Sequence, residues 1–260
     1  MAHLVDPSRE QILTYCAEDP VERVFLEDVA RRRLGRFVAL AEGDRLVALC
    51  HTGANLVPSG RGCGAFAEAA ARARARMVIG EQGAVGELWR ALRPKLSPPR
   101  EDRPGQPVYV SSEAPPGVSG TGLRPATVDD LDVLVPACAA AHEVELGIDP
   151  LRRDPDGFRW RTRAQVEEGR SWLWVEDGVI LFKAEASAWT PSAVQLQQVW
   201  TDPEARARGY ASAALRDLIR LLLERVPRVC LFVRADNEAA IGLYEKVGMT
   251  HALDYRSLLL

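Results

Sequence analysis

The chain has 260 residues, 47% hydrophobic and 27% charged, the balance of an ordinary globular protein of about two domains. That excludes a disordered or collagen-like chain, and apolar runs of four or five residues around Leu221-Leu222-Leu223 fall far short of the roughly 20 that a membrane helix needs. With 33 basic and 36 acidic residues the net charge is −3, so neither nucleic acid nor a membrane is expected as a partner. The opening Met1-Ala2-His3-Leu4-Val5-Asp6 has no basic segment followed by an apolar core, and no signal peptide is expected from it. Five scattered cysteines (Cys16, Cys50, Cys63, Cys138, Cys230) and four histidines lack metal-knuckle spacing. Buried thiols in a reducing cytoplasm, without metal or disulfides, are the expectation.

Proline divides the chain. Seven of its 17 prolines fall between Pro94 and Pro116, a stretch that cannot hold a helix and reads as a connector over 96–121. Within it, Val108-Tyr109-Val110 is expected at most as a short edge strand. An α/β domain is predicted over 1–95 and a second over 122–260. The first opens with a helix capped by Ser8 that buries Ile12, Leu13 and Cys16. A second helix follows, through Val21, Phe25, Leu26 and Val29, ending near Gly35. Phe37–Ala41 and Leu46–Cys50 form a hairpin, Asn55-Leu56-Val57 a further strand, Phe66–Ala75 an Ala-rich helix, Met77-Val78-Ile79 a strand and Ala84–Leu92 a helix.

The second part repeats that order: a strand at Leu123-Arg124-Pro125, then a helix signalled by Thr127 and Asp130. Pro136 should kink this helix, and Gly147 and Pro150 stop it. A charged helix covers Phe158–Glu168. Ser171–Glu176 and Val179–Ala188 flank Asp177-Gly178, a strong hairpin signal, and Val194–Thr201 is a strand. Tyr210–Glu224 places Leu215, Leu218, Ile219 and Leu222 on one helical face. A buried strand at Val229–Val233, a helix at Asn237–Val247 and a strand at Ala252–Leu259 complete the chain. Two copies of one element order suggest a duplication.

Chemistry concentrates where the strand ending at Val199-Trp200-Thr201 runs through Asp202-Pro203-Glu204-Ala205-Arg206-Ala207-Arg208-Gly209-Tyr210-Ala211 into a helix. The first amides of a helix lack internal partners and point outward with partial positive charge, so such a turn holds a diphosphate. Gly209 has no Cβ to obstruct an anion, and Arg206 and Arg208 add charge. Further on, Asn237-Glu238-Ala239-Ala240 begins a helix carrying Tyr244 and ending at Gly248-Met249. Taken singly, Asn237 is a helix cap, Tyr244 a core residue and Gly248 a helix stop.

Together the two segments resemble the GNAT superfamily of N-acetyltransferases. Arg206-Ala207-Arg208-Gly209-Tyr210-Ala211 matches its Gln/Arg-x-x-Gly-x-Gly/Ala motif, and Asn237 to Met249 its Asn-x-x-Ala-x-x-x-Tyr-x-x-x-Gly-Phe pattern with Met for Phe. Arg124-Pro125-Ala126 and Asp129-Asp130-Leu131 look like the family's opening. The whole chain is similar to a bacterial subgroup in which this domain follows a poorly characterised GNAT-like domain. The resemblance implies an α/β fold with a mixed, twisted sheet in which the strand ending at Thr201 splays from Val229–Arg234. It implies acetyl-CoA as cosubstrate, with pantetheine along the backbone of Val199, Trp200 and Thr201. The amides of Arg206–Ala211 would hold its diphosphate, an amide near Val199 would act as oxyanion donor, and Asn237 and Ala240 would lie along the pantetheine arm. Tyr244 would protonate the departing thiolate.

The acceptor amine must lose a proton, and Gln195, Gln197 and Gln198 cannot take it. Glu143, Glu145 and Glu185 are the candidates, with Glu145 preferred because the end of the first helix lines the acceptor mouth in this family; a solvated helix-end carboxylate is the plain alternative. Leu181, Lys183 and Glu185 share one strand face. Arg152, Arg153, Arg159, Arg161 and Arg163 either attract an acidic substrate or form a solvated face. In the first domain, Ser59-Gly60-Arg61-Gly62-Cys63-Gly64 stands where the CoA loop would be but lacks its spacing, which favours a structural or acceptor-positioning role over a second, altered ligand site. The expected activity is transfer of acetyl from acetyl-CoA to a primary amine, with a homodimer compatible. The alternative is a non-catalytic acyl-CoA sensor or interaction module. Rossmann and P-loop signatures are absent.

Overall fold

Residues 2–118 and 120–260 are described by the structure, a computed structural model. A short strand, β1 (His3–Val5), precedes α1 (Arg9–Ala17), where Ser8 and Gln11 form the reciprocal capping box. Helix α2 (Val24–Arg31) buries Val24, Leu26 and Val29. The hairpin β2 (Phe37–Glu42) and β3 (Arg45–Thr52) is followed by β4 (Asn55–Gly60). The Ala-rich segment is shorter than its composition predicts. After a 3-10 turn over Cys63–Phe66, α3 runs only over Ala67–Ala71, and Arg74 turns left-handed. Strand β5 (Met77–Glu81) and α4 (Gln82–Leu92) complete this series.

The proline-rich stretch is not an irregular strap. Glu101–Ser111 is an eleven-residue strand, β6, lying inside the sheet rather than at its edge. Pro104 falls where the register slips between Arg103 and Gln106, beside Gly105 at a φ of +62°.

The second series repeats the first. Strand β7 (Arg124–Pro125) leads to α5 (Leu131–Leu146), whose entry is held by Asp130 accepting from Thr127 N and Oγ1 and pairing with Arg124. Gly147 ends α5 at φ +68°. Then come α6 (Pro150–Arg153), α7 (Pro155–Glu167), β8 (Ser171–Glu176) and β9 (Val179–Trp189). Asp177 and Gly178 join β8 to β9 with φ of +48° and +77°, the mirror-image turn that their sequence foretells. Strand β10 (Val194–Trp200), α8 (Tyr210–Leu223), β11 (Val229–Phe232), α9 (Glu238–Lys246) and β12 (Thr250–Leu259) follow. Leu215, Leu218, Ile219 and Leu222 of α8 are buried against Phe182, Leu196 and Leu231.

One 12-stranded sheet joins both series, in the order β1-β2-β3-β4-β5-β12-β6-β11-β10-β9-β8-β7. Matching β1–β6 in turn to β7–β12 reproduces this order from the other end. Each half has lent its last strand to the other: β12 pairs with β5, and β6 with β11. The duplication suggested by element order is thus visible in the topology. Helix α2 also packs on the second half through Val24, Ala188, Ala193 and Cys230, and Asp28 pairs with Arg170 at 2.8 Å. No helix among the described residues is long and apolar enough to cross a membrane.

Candidate active site

Strands β10 and β11 run parallel but pair only at Val194–Val229 and Gln195–Cys230, then part. On its far side β10 continues to pair with β9, so from Leu196 to Trp200 one edge of β10 has no strand partner. The register slips between Gln197 and Trp200, and Gln198 adopts a left-handed φ of +52°. A non-glycine residue in that region marks a bulge that re-aims the strand beside the gap.

Beyond the gap, Asp202 caps a 3-10 turn at Pro203–Ala205, Ala207 turns left-handed at φ +60°, and Gly209 opens α8 at φ +87°. The amides of Ala207, Arg208, Gly209, Tyr210 and Ala211 meet no protein acceptor among the described residues. Alternating backbone of this kind turns successive N–H groups into one concavity, and the first turn of a fourteen-residue helix adds its dipole. Space beside the Gly209 Cα is open. Tyr210 is held edge-on against Trp174, ring centroids 5.2 Å apart. Both arginines are exposed; Arg208 has no protein partner among the described residues, whereas Arg206 Nε donates to the Thr201 carbonyl at 3.2 Å. This corrects the expectation for two residues: the Thr201 carbonyl already has a protein partner, and Arg206 braces the turn instead of reaching outward. The residues present therefore fit a diphosphate through backbone amides plus Arg208.

Across the gap, Asn237 caps α9 by accepting from Ala240 N at 3.2 Å, and its amide NH₂ has no partner among the described residues. Ala240 is half-buried on the α9 face that meets the core. Tyr244 is buried against Tyr109, and its hydroxyl has no protein partner among the described residues. Burial, followed by the charge of Glu145, pushes its phenol well above 10. The hydroxyl thus stays protonated through the neutral range, and Glu145 and Tyr244 share one electrostatic neighbourhood.

Glu145, at the end of α5, is exposed, and the charges of Arg103, Lys183, Glu185 and Arg234 act on its carboxyl. Desolvation by the surrounding protein lifts its carboxyl above the usual range, with Arg103 and Lys183 opposing. Arg103 comes from β6 and also donates to the Glu145 carbonyl at 2.8 Å. Glu185 behaves differently. It is buried and bonded to Lys183 Nζ at 3.2 Å and to Cys138 Sγ at 3.0 Å. Burial raises its carboxyl, but the lysine charge and these bonds prevail and hold it low, so it is a poor base. Lys183, without exposed surface, also donates to Gln198 Oε1 at 3.1 Å and so ties the bulge to the ion pair. The sequence places Lys183 and Glu185 on one face; that they form a buried pair under the bulge was signalled only by two charges in an otherwise apolar run. Glu143 is exposed. Arg152, Arg159, Arg161 and Arg163 pair with Asp149, Asp132, Asp154 and Glu167, the solvated-face outcome.

The first half carries the same parting in altered form. Strands β4 and β5 pair in parallel only at Asn55–Met77 and Leu56–Val78, and Gly62 stands at φ +82° before a helical turn, as Gly209 does. Gly62 follows Leu56 by six positions, however, while Gly209 follows Gln195 by fourteen. The short loop has its own anion: Glu87 accepts from Gly62 N at 2.6 Å and Cys63 N at 2.9 Å. Ser59, just past the parting, is buried under Tyr15 at 3.0 Å and Glu22 at 2.8 Å. Glu87→Ala should strip two charge-assisted bonds and destabilise the fold by about 1–2 kcal/mol in urea unfolding; an unchanged midpoint contradicts this role.

A parallel pair that parts, a bulged strand and an open amide loop at a helix start together make up the candidate site. Residues 139–249 match the Acetyltransferase (GNAT) family, and the second half of the chain belongs to it; residues 35–134 match a domain of unknown function (DUF4081). A mycothiol acetyltransferase of Nocardioides sp. is 33% identical over 161 residues, 54% of this chain and 52% of that one, so the match spans about half of each. The fold is shared over nearly the whole chain with a GCN5-related N-acetyltransferase of Sphaerobacter thermophilus (TM-score 0.61, 17% identity, 98% and 94% of the two chains). It is shared likewise with a tandem GNAT protein from the clavulanic acid biosynthesis pathway (TM-score 0.55, 13% identity, 99% and 98%).

Proposed function

We propose that this protein is an acetyl-CoA-dependent N-acetyltransferase with one working site, in the second half, which transfers acetyl to a primary amine of a small molecule or protein by direct attack. The observation that carries the reading is the run of unpartnered amides from Ala207 to Ala211 beside the open edge of β10. Relatives bearing the name mycothiol acetyltransferase support acetyl transfer in general. Bound acetyl-CoA supplies an activated thioester. The loop amides and Arg208 take its diphosphate, Val199 and Trp200 line the pantetheine with their backbone, and Asn237 and Ala240 lie along the opposite wall. The Val199 amide donates to the thioester carbonyl. Glu145 removes the amine proton, directly or through water, and Tyr244 gives its proton to the departing sulfur.

The units 1–95 and 122–260, joined by 96–121, serve different ends in this reading: the first is a support whose cradle Glu87 already fills. Five free, buried cysteines suit a cytoplasmic protein, and a homodimer is compatible with the fold. Calorimetric titration with acetyl-CoA tests the reading, with one molecule bound per chain expected. A thiol-release screen over primary amines then tests turnover. No binding refutes the proposal, two equivalents refute the closed first cradle, and binding without turnover on any amine favours a sensor. On the best amine, Glu145→Gln should lower kcat/KM about 10- to 100-fold. A raised carboxyl must lose its proton to act, so wild-type kcat/KM should climb with pH above the ordinary glutamate range, and this limb should vanish in the variant.

A further inference from the structure

A cavity of about 730 Å³ lies in the first half, away from both amide loops, between the end of α2, the start of β2 and α3. Its floor is apolar, with Ile12, Ala30, Phe37 and Val38. Its rim holds Arg9, Arg33, Arg36 and Arg72 against a single acid, Asp6, an excess of positive charge in a chain of net −3. The arginines of the 31–36 run divide by direction. Arg31 pairs with Glu27, and Arg32 with Asp28 and Glu168, all turned away from the cavity. Arg9 is committed to the α2 end, donating to the Ala30 and Arg31 carbonyls. Among the described residues, the side chains of Arg33, Arg36 and Arg72 have no protein partner. The loop that presents two of them is pinned. Arg33 is left-handed at φ +56°, and Gly35, at φ +71°, lies against His51, which is set between Phe25 and Phe37. A concave apolar floor with convergent cations in a preformed wall is the build of a small-molecule site.

We propose that this cavity binds a small amphipathic anion, its apolar body on Ile12, Phe37 and Val38 and its acidic group held by Arg33, Arg36 and Arg72. The site is separate from the acetyl-CoA cradle and does not depend on acetyl transfer. The test is calorimetric titration of the full chain with 1-naphthyl phosphate, with 1-naphthol and inorganic phosphate as single-feature probes. Saturable binding is expected below about 1 mM, at least about tenfold tighter than either partial probe. The double variant Arg33→Glu/Arg36→Glu should weaken it at least about tenfold, because both side chains are exposed and far-UV circular dichroism should be unchanged. Gly209→Glu and excess acetyl-CoA should leave it as it is. No saturable binding, equal affinity in the double variant, parity with 1-naphthol or phosphate, or displacement by acetyl-CoA would each overturn the proposal.

Discussion

Gly209→Glu is expected to abolish measurable acetyl-CoA binding, a loss of at least about 100-fold, or about 2.7 kcal/mol. Two effects combine. The residue stands at φ +87°, where any side chain strains the backbone, and the space beside it is open toward the loop amides. A glutamate there sets a carboxylate before the donors that would take the diphosphate, much as Glu87 does for Gly62 and Cys63. Strain at one loop position costs about 1 kcal/mol, a shift of only about 2–4 °C in melting temperature for a chain of this size. Loss of binding with a near-native melting curve is therefore the signature. Undiminished affinity would move the acyl-donor site elsewhere.

Tyr244→Phe should separate binding from chemistry. The ring is buried against Tyr109 and the α9 core, so phenylalanine keeps the packing; among the described residues the hydroxyl has no protein partner to lose. Stability should change little. Turnover should fall about 100-fold, the lower end of what a positioned proton donor contributes, with the acetyl-CoA dissociation constant kept within about twofold. Since burial and Glu145 hold the phenol above its ordinary value, no falling limb below pH 10 should be assignable to it. Thiol release in steady state, beside calorimetry, gives both numbers. Equal turnover would remove Tyr244 from the mechanism and leave a packing residue.

Several features were readable because their causes are local. The Ser8–Gln11 box, the Asp130 bonds to Thr127 and the Asp177-Gly178 turn each involve residues one to three positions apart. The loop from Ala207 to Ala211 was readable for the same reason: a left-handed glycine before a long helix leaves the adjoining amides open. Arg206 was misjudged because its carbonyl partner depends on how the turn folds back. The stretch 96–121 was misjudged because a proline count describes chain stiffness. It says nothing of a β12 strand, some 150 residues further along, that supplies partners for Glu101–Ser111.

Sequence alone thus determined most of the helices and strands and the turn at Gly209, since periodicity, capping and glycine placement act over a few residues. Tertiary structure decided the exchange of β6 and β12, and with it the arrival of Arg103 from one half beside Glu145 of the other. It also decided the burial of Lys183 with Glu185 and the filling of the first cradle by Glu87. Those outcomes rest on desolvation and ion pairing between distant segments, free energies that exist only once the sheet has brought the charges together.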